Sequence, residues 1–438
     1  MWPSYPAGVS LVVLTPNDVQ IIASVVLVVI LLHLFLGGCA YSILLERKLS
    51  SWMQDRVGPN RVGPHGAFQP LADGLKFLLK EDYNPRGVDK WLFLLAPGFI
   101  MIPAMIGFVI VPFAQQIDVT GLVNLFGVAQ PGTEYLVRLV GADINVGLIY
   151  FIAVGSIGVY GVVLGGWASN NKFSFLGGLR ASAQMISYEI PMGLALLTIV
   201  LVSGTINPFE IIAHQQETAW NLLQMPVAAV IFYACMLAES NRAPFDLAEA
   251  ESELIGGYHT EYSSMKFALF FLAEYYHMIA GAAFFTMLFL GGWSVNPIAG
   301  IIPWDFVNSG HFWLLGLIQA VIVLVKMAFL VAFAMAVRWT LPRFRFDQLM
   351  KLAWEGMIPT SLLMVLICSV WIFLGWQDWM FLASIATILI VFTVHPFMPR
   401  QPDPNRRIKI IGSRFSPLES TGSMPGEGSG MNTAPPSD

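Results

Sequence analysis

Six carboxylates crowd into a stretch that reads ESNRAPFDLAEAESELIGGYHTEY, from Glu239 to Tyr262. They are Glu239, Asp246, Glu249, Glu251, Glu253 and Glu261, and the one arginine or lysine among them is Arg242. Only 12% of the chain is charged, so this density marks a site. Acids this close cannot all ionise cheaply, and at a low-dielectric boundary such a group holds and passes protons near neutral pH. A solvated acidic loop is the plainer account of most charge runs. Against it, Pro244, Phe245, Leu247, Leu254, Ile255 and Tyr258 interleave the acids with apolar groups. If the residues after Pro244 are helical, with the proline in a tolerated first turn, Asp246, Glu249 and Glu253 share one face.

Other ionisable residues lie inside long apolar stretches. Glu189 follows Ser187 and Tyr188 and precedes Pro191, Glu274 sits within the stretch after the acidic window, and Lys326 lies in the next. An ionisable side chain at such depth costs about 2.5–3.5 kcal/mol on insertion scales and is retained for a purpose. Glu189, Glu239, Glu274 and Lys326 outline a polar axis into the bilayer, with pairing between helices as the structural alternative. The triplet Glu46-Arg47-Lys48 ends the first apolar stretch. Lys48 reads as an anchor at the membrane exit, but an anchor gains nothing from the carboxylate of Glu46. Arg338 and Arg343 flank Leu341-Pro342 and can turn back toward the first loop, whereas Lys351 reads as an anchor.

The remaining chemistry is sparse. Cys39, Cys235 and Cys368 stand singly in apolar stretches, at no spacing that suits zinc or an iron–sulfur cluster. His33, His277 and His395 lie in or near apolar segments, with no two on one helix for a haem. There is no nucleotide-binding loop, nucleophile elbow or flavin fingerprint. The net charge of −5 and the dispersed bases offer no patch for nucleic acid.

The elements that must position these residues follow from hydropathy. At 56% hydrophobic and a mean hydropathy of +0.67, the chain exceeds the roughly 45–50% apolar share of globular domains. A spanning helix needs about 20 apolar residues, and nine stretches qualify: 19–45, 89–114, 145–168, 179–203, 219–238, 265–292, 311–339, 352–374 and 377–395. Pro103, Pro191, Pro226 and Pro359 interrupt some of them without vetoing a span. The expected fold is an all-α polytopic membrane protein over residues 1–395, with a disordered cytoplasmic tail over 396–438. No signal peptide is read at the N-terminus.

Loop charge orients the chain. With the N-terminus outside, the inner loops receive nearly all the arginines and lysines and the outer loops only Arg138. The loops at 46–88, 239–264 and 338–351 therefore share the cytoplasmic side. The first of these carries Gly58-Pro59 and Gly63-Pro64, which force an ordered, non-helical path. Beyond it Phe68, Leu71, Leu75, Leu78 and Leu79 recur at helical spacing opposite Gln69, Asp73, Lys76 and Lys80, which predicts an amphipathic helix in the interface. A Gly-Pro loop beside such a helix can frame a portal between lipid and a docked partner. The outer loop from Gln115 to Asn145 carries no signal.

Several of these motifs together resemble one family. ERK at Glu46, RVGPNRVGPHGAFQPLADGLK at Arg56, NKFSFLGGLRASAQMISYE at Asn171, the acidic stretch from Asn241 to Tyr275 and TLPRFRFDQLM at Thr340 are similar to the H-type subunit of bacterial proton-pumping NADH:quinone oxidoreductase, respiratory complex I. Its mitochondrial equivalent is subunit 1. The likeness runs from about Tyr41 to Arg400.

It implies a subunit in the bacterial plasma membrane that joins the membrane and peripheral arms. It also implies a tunnel admitting quinone from the bilayer, to which Glu46, Arg47, Arg56, Asp73, Lys76, Arg338 and Arg343 belong. The acidic proton route leading from that tunnel is implied to comprise Glu189, Glu239, Asp246, Glu249, Glu251, Glu253 and Glu274. Quinone is then a substrate, this chain binds no cofactor covalently and no metal, and flavin mononucleotide and the iron–sulfur clusters sit on partner subunits.

Two positions depart from the family pattern. Phe346 stands where tyrosine is usual, and Glu355 stands where a lysine is expected. Two other readings of the same residues remain: the membrane anchor of a related hydrogenase complex, and a stand-alone cation carrier built on the intramembrane acids.

Overall fold

The computed structural model describes residues 14–126, 130, 132–248, 251–299 and 313–394, and those up to Val391 lie in one compact unit. The tail expected to be disordered lies outside the described residues.

The principal helices are α1 (Pro16–Met53), α2 (Gln69–Leu79), α3 (Lys90–Gly107), α4 (Gly147–Ala168), α5 (Lys172–Ser203), α6 (Pro226–Glu239), α7 (Ser264–Phe289), α8 (Trp313–Thr340), α9 (Phe346–Phe373) and α10 (Met380–Val394). Their starts follow local sequence. Thr15 and Asp18 form a reciprocal capping box before α1, the Asp89 carboxylate accepts from the amides of Trp91 and Leu92, and Asn171 caps α5. Gly204 closes α5 in the left-handed conformation that glycine adopts without strain.

Among the described residues seven helices are long and apolar enough to cross a membrane, and α6 and α10 are shorter. Together these are the nine apolar stretches expected from hydropathy, two of them shorter than a full span. In the stretch 219–238 a single turn, Asn221–Gln224, ends at Met225 with φ −133° and ψ 62°, and α6 begins afresh at Pro226. A residue before proline is pushed out of the α region, so the segment breaks there. The remaining 14 residues of α6 rise about 21 Å, short of the roughly 30 Å hydrocarbon core. A π-helical turn at Leu352–Met357 lies in α9, and it contains the exposed Glu355.

The amphipathic α2 forms as its periodicity predicts. None of its residues is buried, and Leu71, Leu75, Leu78 and Leu79 are exposed along its apolar side. The outer loop, silent in the sequence, holds a two-stranded antiparallel sheet, Ala114–Asp118 paired with Leu136–Leu139. Tyr135 beside it is buried and donates from its hydroxyl to the Leu14 carbonyl at 2.9 Å.

Close helix packing rests on glycine at two places that matter for the site. A Cβ on Gly161 of α4 would stand 2.7 Å from the Ile100 amide of α3, and one on Gly177 of α5 would stand 2.6 Å from the Tyr258 amide. Backbone cannot yield as a flexible side chain can. Gly161→Ala should therefore cost about 1–3 kcal/mol through overpacking, read as a lower thermal midpoint of the detergent-extracted protein. An unchanged midpoint would show that α3 and α4 separate freely.

Candidate functional site

The charged residues meet where α1 ends, α6 ends, α7 passes and α8 ends. Arg242 lies in the turn after α6 and is 4% exposed. Its Nη1 donates to Glu46 Oε2 at 3.2 Å, and its Nε stands 3.7 Å from Glu274 Oε2. Its guanidinium carbon lies 3.8 Å from the centre of the Tyr275 ring. Tyr275 donates to Glu46 Oε2 at 2.7 Å, Tyr258 donates to Glu274 Oε1 at 3.1 Å, and Arg338 pairs with Glu46 Oε1. Burial disfavours the charge on Arg242, but Tyr275, Glu274 and Glu46 outweigh it and hold the guanidinium above its ordinary range. Arg242 is thus a fixed cation.

The turn is shaped by Gln184 of α5, which is fully buried and donates to the carbonyls of Ala238 and Phe245 at 2.8 and 2.7 Å. Phe344 donates its amide to the Pro244 carbonyl at 3.2 Å. With Asn241 at φ 49° and these carbonyls already taken, no helix propagates through 241–248. The expectation that a helix sets Asp246, Glu249 and Glu253 on one face is therefore corrected. The short helix Glu251–Leu254 begins later.

Nor do the acids form a single pool. Asp246 is buried and accepts from Arg343 at 2.9 Å. Glu253 is exposed and pairs with Arg180 at 2.5 Å. Glu261 accepts from Asn171 at 2.6 Å. Glu249 and the side chain of Glu251 lie outside the described residues.

Glu189 and Glu239 meet from α5 and α6. Both line a cavity of about 20 Å³ with Ser156, Tyr188, Cys235 and His277, and Ser156 donates to Glu189 Oε1. That volume is large enough for one water. A Cβ on Gly155 would stand 2.8 Å from Glu239 Oε1, so the bare face of α4 makes room for the carboxylate. Lys326 does not join this axis: its ammonium donates to the carbonyls of Leu290, Gly292 and Ser294 at 2.6–2.8 Å, capping the end of α7, and it lies over Trp220.

At the first loop, Arg47 pairs with Asp73 at 2.8 Å and so ties the end of α1 to α2. Lys48, read as an anchor, instead donates to the His65 carbonyl at 2.7 Å and holds the Gly-Pro loop. Arg56 is exposed and donates to Gln54, and Lys76 is exposed with its ammonium over Phe77. The turn back of Arg338 to the end of α1 is as expected, whereas Arg343 reaches Asp246. Arg180 lies over the Phe346 ring.

A model of the NADH dehydrogenase family matches residues 25–369. The H-type subunit of NADH-quinone oxidoreductase from Leptospira biflexa is 45% identical over 356 residues, covering 80% of this chain and 95% of the relative. An H-type subunit from Geobacter metallireducens is 43% identical over 349 residues, covering 80% and 95%. The H-type subunit of Flavobacterium psychrophilum is 42% identical over 350 residues, covering 80% and 97%. The chain belongs to the family of H-type NADH-quinone oxidoreductase subunits. The match takes in α2 to α8 whole and most of α1 and α9.

Arg242, Tyr275, Tyr258 and Ser156 join the site of this family member without having been expected there from sequence. Arg242 carried a signal, as the lone arginine or lysine among six acids; the hydroxyls carried none, because their partners come from other helices. Removing one partner of a buried ion pair costs about 3–5 kcal/mol. Arg242→Gln should therefore lower the thermal midpoint sharply, whereas Glu253→Gln, in a partly exposed pair, should change stability by less than about 1 kcal/mol. Equal midpoints for the two variants would refute a structural role for the buried network.

Proposed function

We propose that this chain is the membrane subunit through which quinone enters NADH:quinone oxidoreductase, and that its intramembrane acids carry the proton transfer coupled to quinone reduction. The observation that carries the reading is the continuity of buried charge. Arg338, Glu46, Arg242 and Glu274 join the ends of α1, α6 and α8 to the middle of α7. Three residues before Arg242, Glu239 opens onto the cavity it shares with Glu189.

The portal side is supported by local geometry. Arg47 and Lys48 hold α2 and the Gly-Pro loop against the end of α1. An apolar groove of about 480 Å³ lies between α1, α7 and α8, from Leu34 to Lys48 along α1. Its walls suit an isoprenoid tail. The headgroup would be reduced by a neighbouring subunit that carries the redox centres, and this chain would supply shape, charge and proton-holding groups. Other subunits of both arms are its partners, and a bacterial plasma membrane is its setting.

Charge rearranged at the quinone site acts first on Glu46 and Arg343. The rigid Arg242 then passes the change to Glu274, while the turn from Arg242 to Asp246 moves with it and shifts the end of α6. Glu239 stands at that end of α6 and shares its cavity with Glu189, so the movement reaches both carboxylates.

The test is a tagged chain purified from its native membrane in mild detergent, with flavin, iron–sulfur clusters and NADH-driven quinone reduction expected to copurify. Emergence of the chain alone, conducting ions in liposomes, would favour the carrier reading. In the assembled complex Glu189→Gln and Glu239→Gln should each cut quinone-coupled pumping at least about tenfold, the lower range of general acid–base effects. Undiminished pumping in both would overturn the proton-route assignment.

A further inference from the structure

His277 in α7 takes no part in the charge network, yet it lies against the cavity shared by Glu189 and Glu239. A second cavity of about 20 Å³ adjoins it, and Glu239 and His277 line this one too. The rest of the second lining is apolar, with Pro103, Ala104, Phe151 and Val154 among it. Among the described residues, Glu239 and His277 are thus the two titratable groups common to both cavities. Each volume is large enough for one water.

The α4 face explains how both side chains fit. Gly155 leaves space for Glu239 Oε1, and one turn on, a Cβ at Gly158 would stand 3.5 Å from His277 Nε2. Positions three apart on a helix face the same way, so the two glycines clear one continuous strip along which carboxylate and imidazole lie. The Ile100 backbone lies against the imidazole. Imidazole can take a proton on one ring nitrogen and return it.

We infer that His277 is a proton-relay residue, receiving a proton from Glu239 across the water-sized cavities that the two share. The step moves one proton. Protonated Glu239 gives it up through the intervening water, a ring nitrogen of His277 takes it, and a neutral pair becomes a carboxylate beside an imidazolium. Charge is conserved, and the attraction within the new pair offsets part of the cost of charging two groups in a low-dielectric site. The acidic route then does not end at Glu239 but extends by one group toward the side of α3 that bears Pro103 and Gly107. This inference rests on the proton-route reading above and adds a residue to it.

The experiment uses the intact complex in native membrane vesicles carrying His277→Asn, His277→Gln, Gly155→Ala, Glu239→Gln or Glu189→Gln. Proton pumping, quinone-coupled NADH oxidation and the solvent deuterium isotope effect on that oxidation are measured, with NADH oxidation by a hydrophilic acceptor reporting assembly. We expect both His277 variants to lose at least about tenfold in coupled turnover, the lower range for a lost acid–base group. Their isotope effect should rise, because proton transfer becomes the slow step; a packing defect alone would not produce that rise. Gly155→Ala should act in the same direction by crowding Glu239 without removing a charge.

Normal pumping in a His277 variant, with Glu239→Gln impaired, would overturn the relay and leave the acidic route standing. Normal pumping in Glu239→Gln and Glu189→Gln as well would overturn both. Loss of turnover with an unchanged isotope effect would reduce His277 to a packing residue.

Discussion

A guanidinium buried at the edge of a hydrocarbon layer must be neutralised where it stands, and Arg242 imposes that demand on everything around it. It lies in a turn with little exposure, so its charge has to be met by groups brought from elsewhere in the chain. Glu46 comes from the end of α1, and Glu274 with Tyr275 from α7. Glu46 also lies against a second cation, Arg338 at the end of α8. One buried charge thereby fixes the relative placement of four helices. Such pairs seldom add net stability over apolar packing, but breaking one is costly, and the arrangement is accordingly specified more tightly than hydrophobic contact alone could achieve.

Glycine does the complementary work inside the bundle. Where burial supplies no difference in hydrophobicity between lipid and a neighbouring helix, small residues let backbones approach closely. Gly161 brings α4 onto α3, and Gly177 brings α5 onto the turn at Tyr258. At Gly155 and Gly158 the same residue type yields space for ionisable side chains, as the proximity of Glu239 and His277 shows. Tight packing and polar passages are thus made by one device, according to whether backbone or an ionisable side chain lies opposite.

Much of the site is legible before the fold. Intramembrane acids announce themselves because hydrocarbon penalises them, and Glu189, Glu239 and Glu274 stand out on that ground alone. The α2 stripe is equally plain, since an interfacial helix writes its two faces into its period. The helical extrapolation past Pro244 fails for a physical reason. Local propensity there is overridden by Gln184, a buried amide from another helix that takes the carbonyls a continuing helix would use. Lys326 misleads in a similar way. Its position in an apolar stretch suggests a proton axis, but an ammonium is also a good partner for the open carbonyls at a helix end.

Sequence by itself determined the rough extent of the apolar segments, the inventory of ionisable groups and, through long ordered motifs, the family. These are properties of composition and short-range periodicity, and each can be read without knowing what lies across the bundle. Tertiary structure alone decided which charges meet. It dispersed acids of one short stretch among Glu189, Arg343, Arg180 and Asn171, set Arg242 between two distant glutamates, and placed His277 beside Glu239. The reason is range: hydrophobic periodicity is a local signal, whereas compensation of buried charge is satisfied by whichever helix the packing brings near.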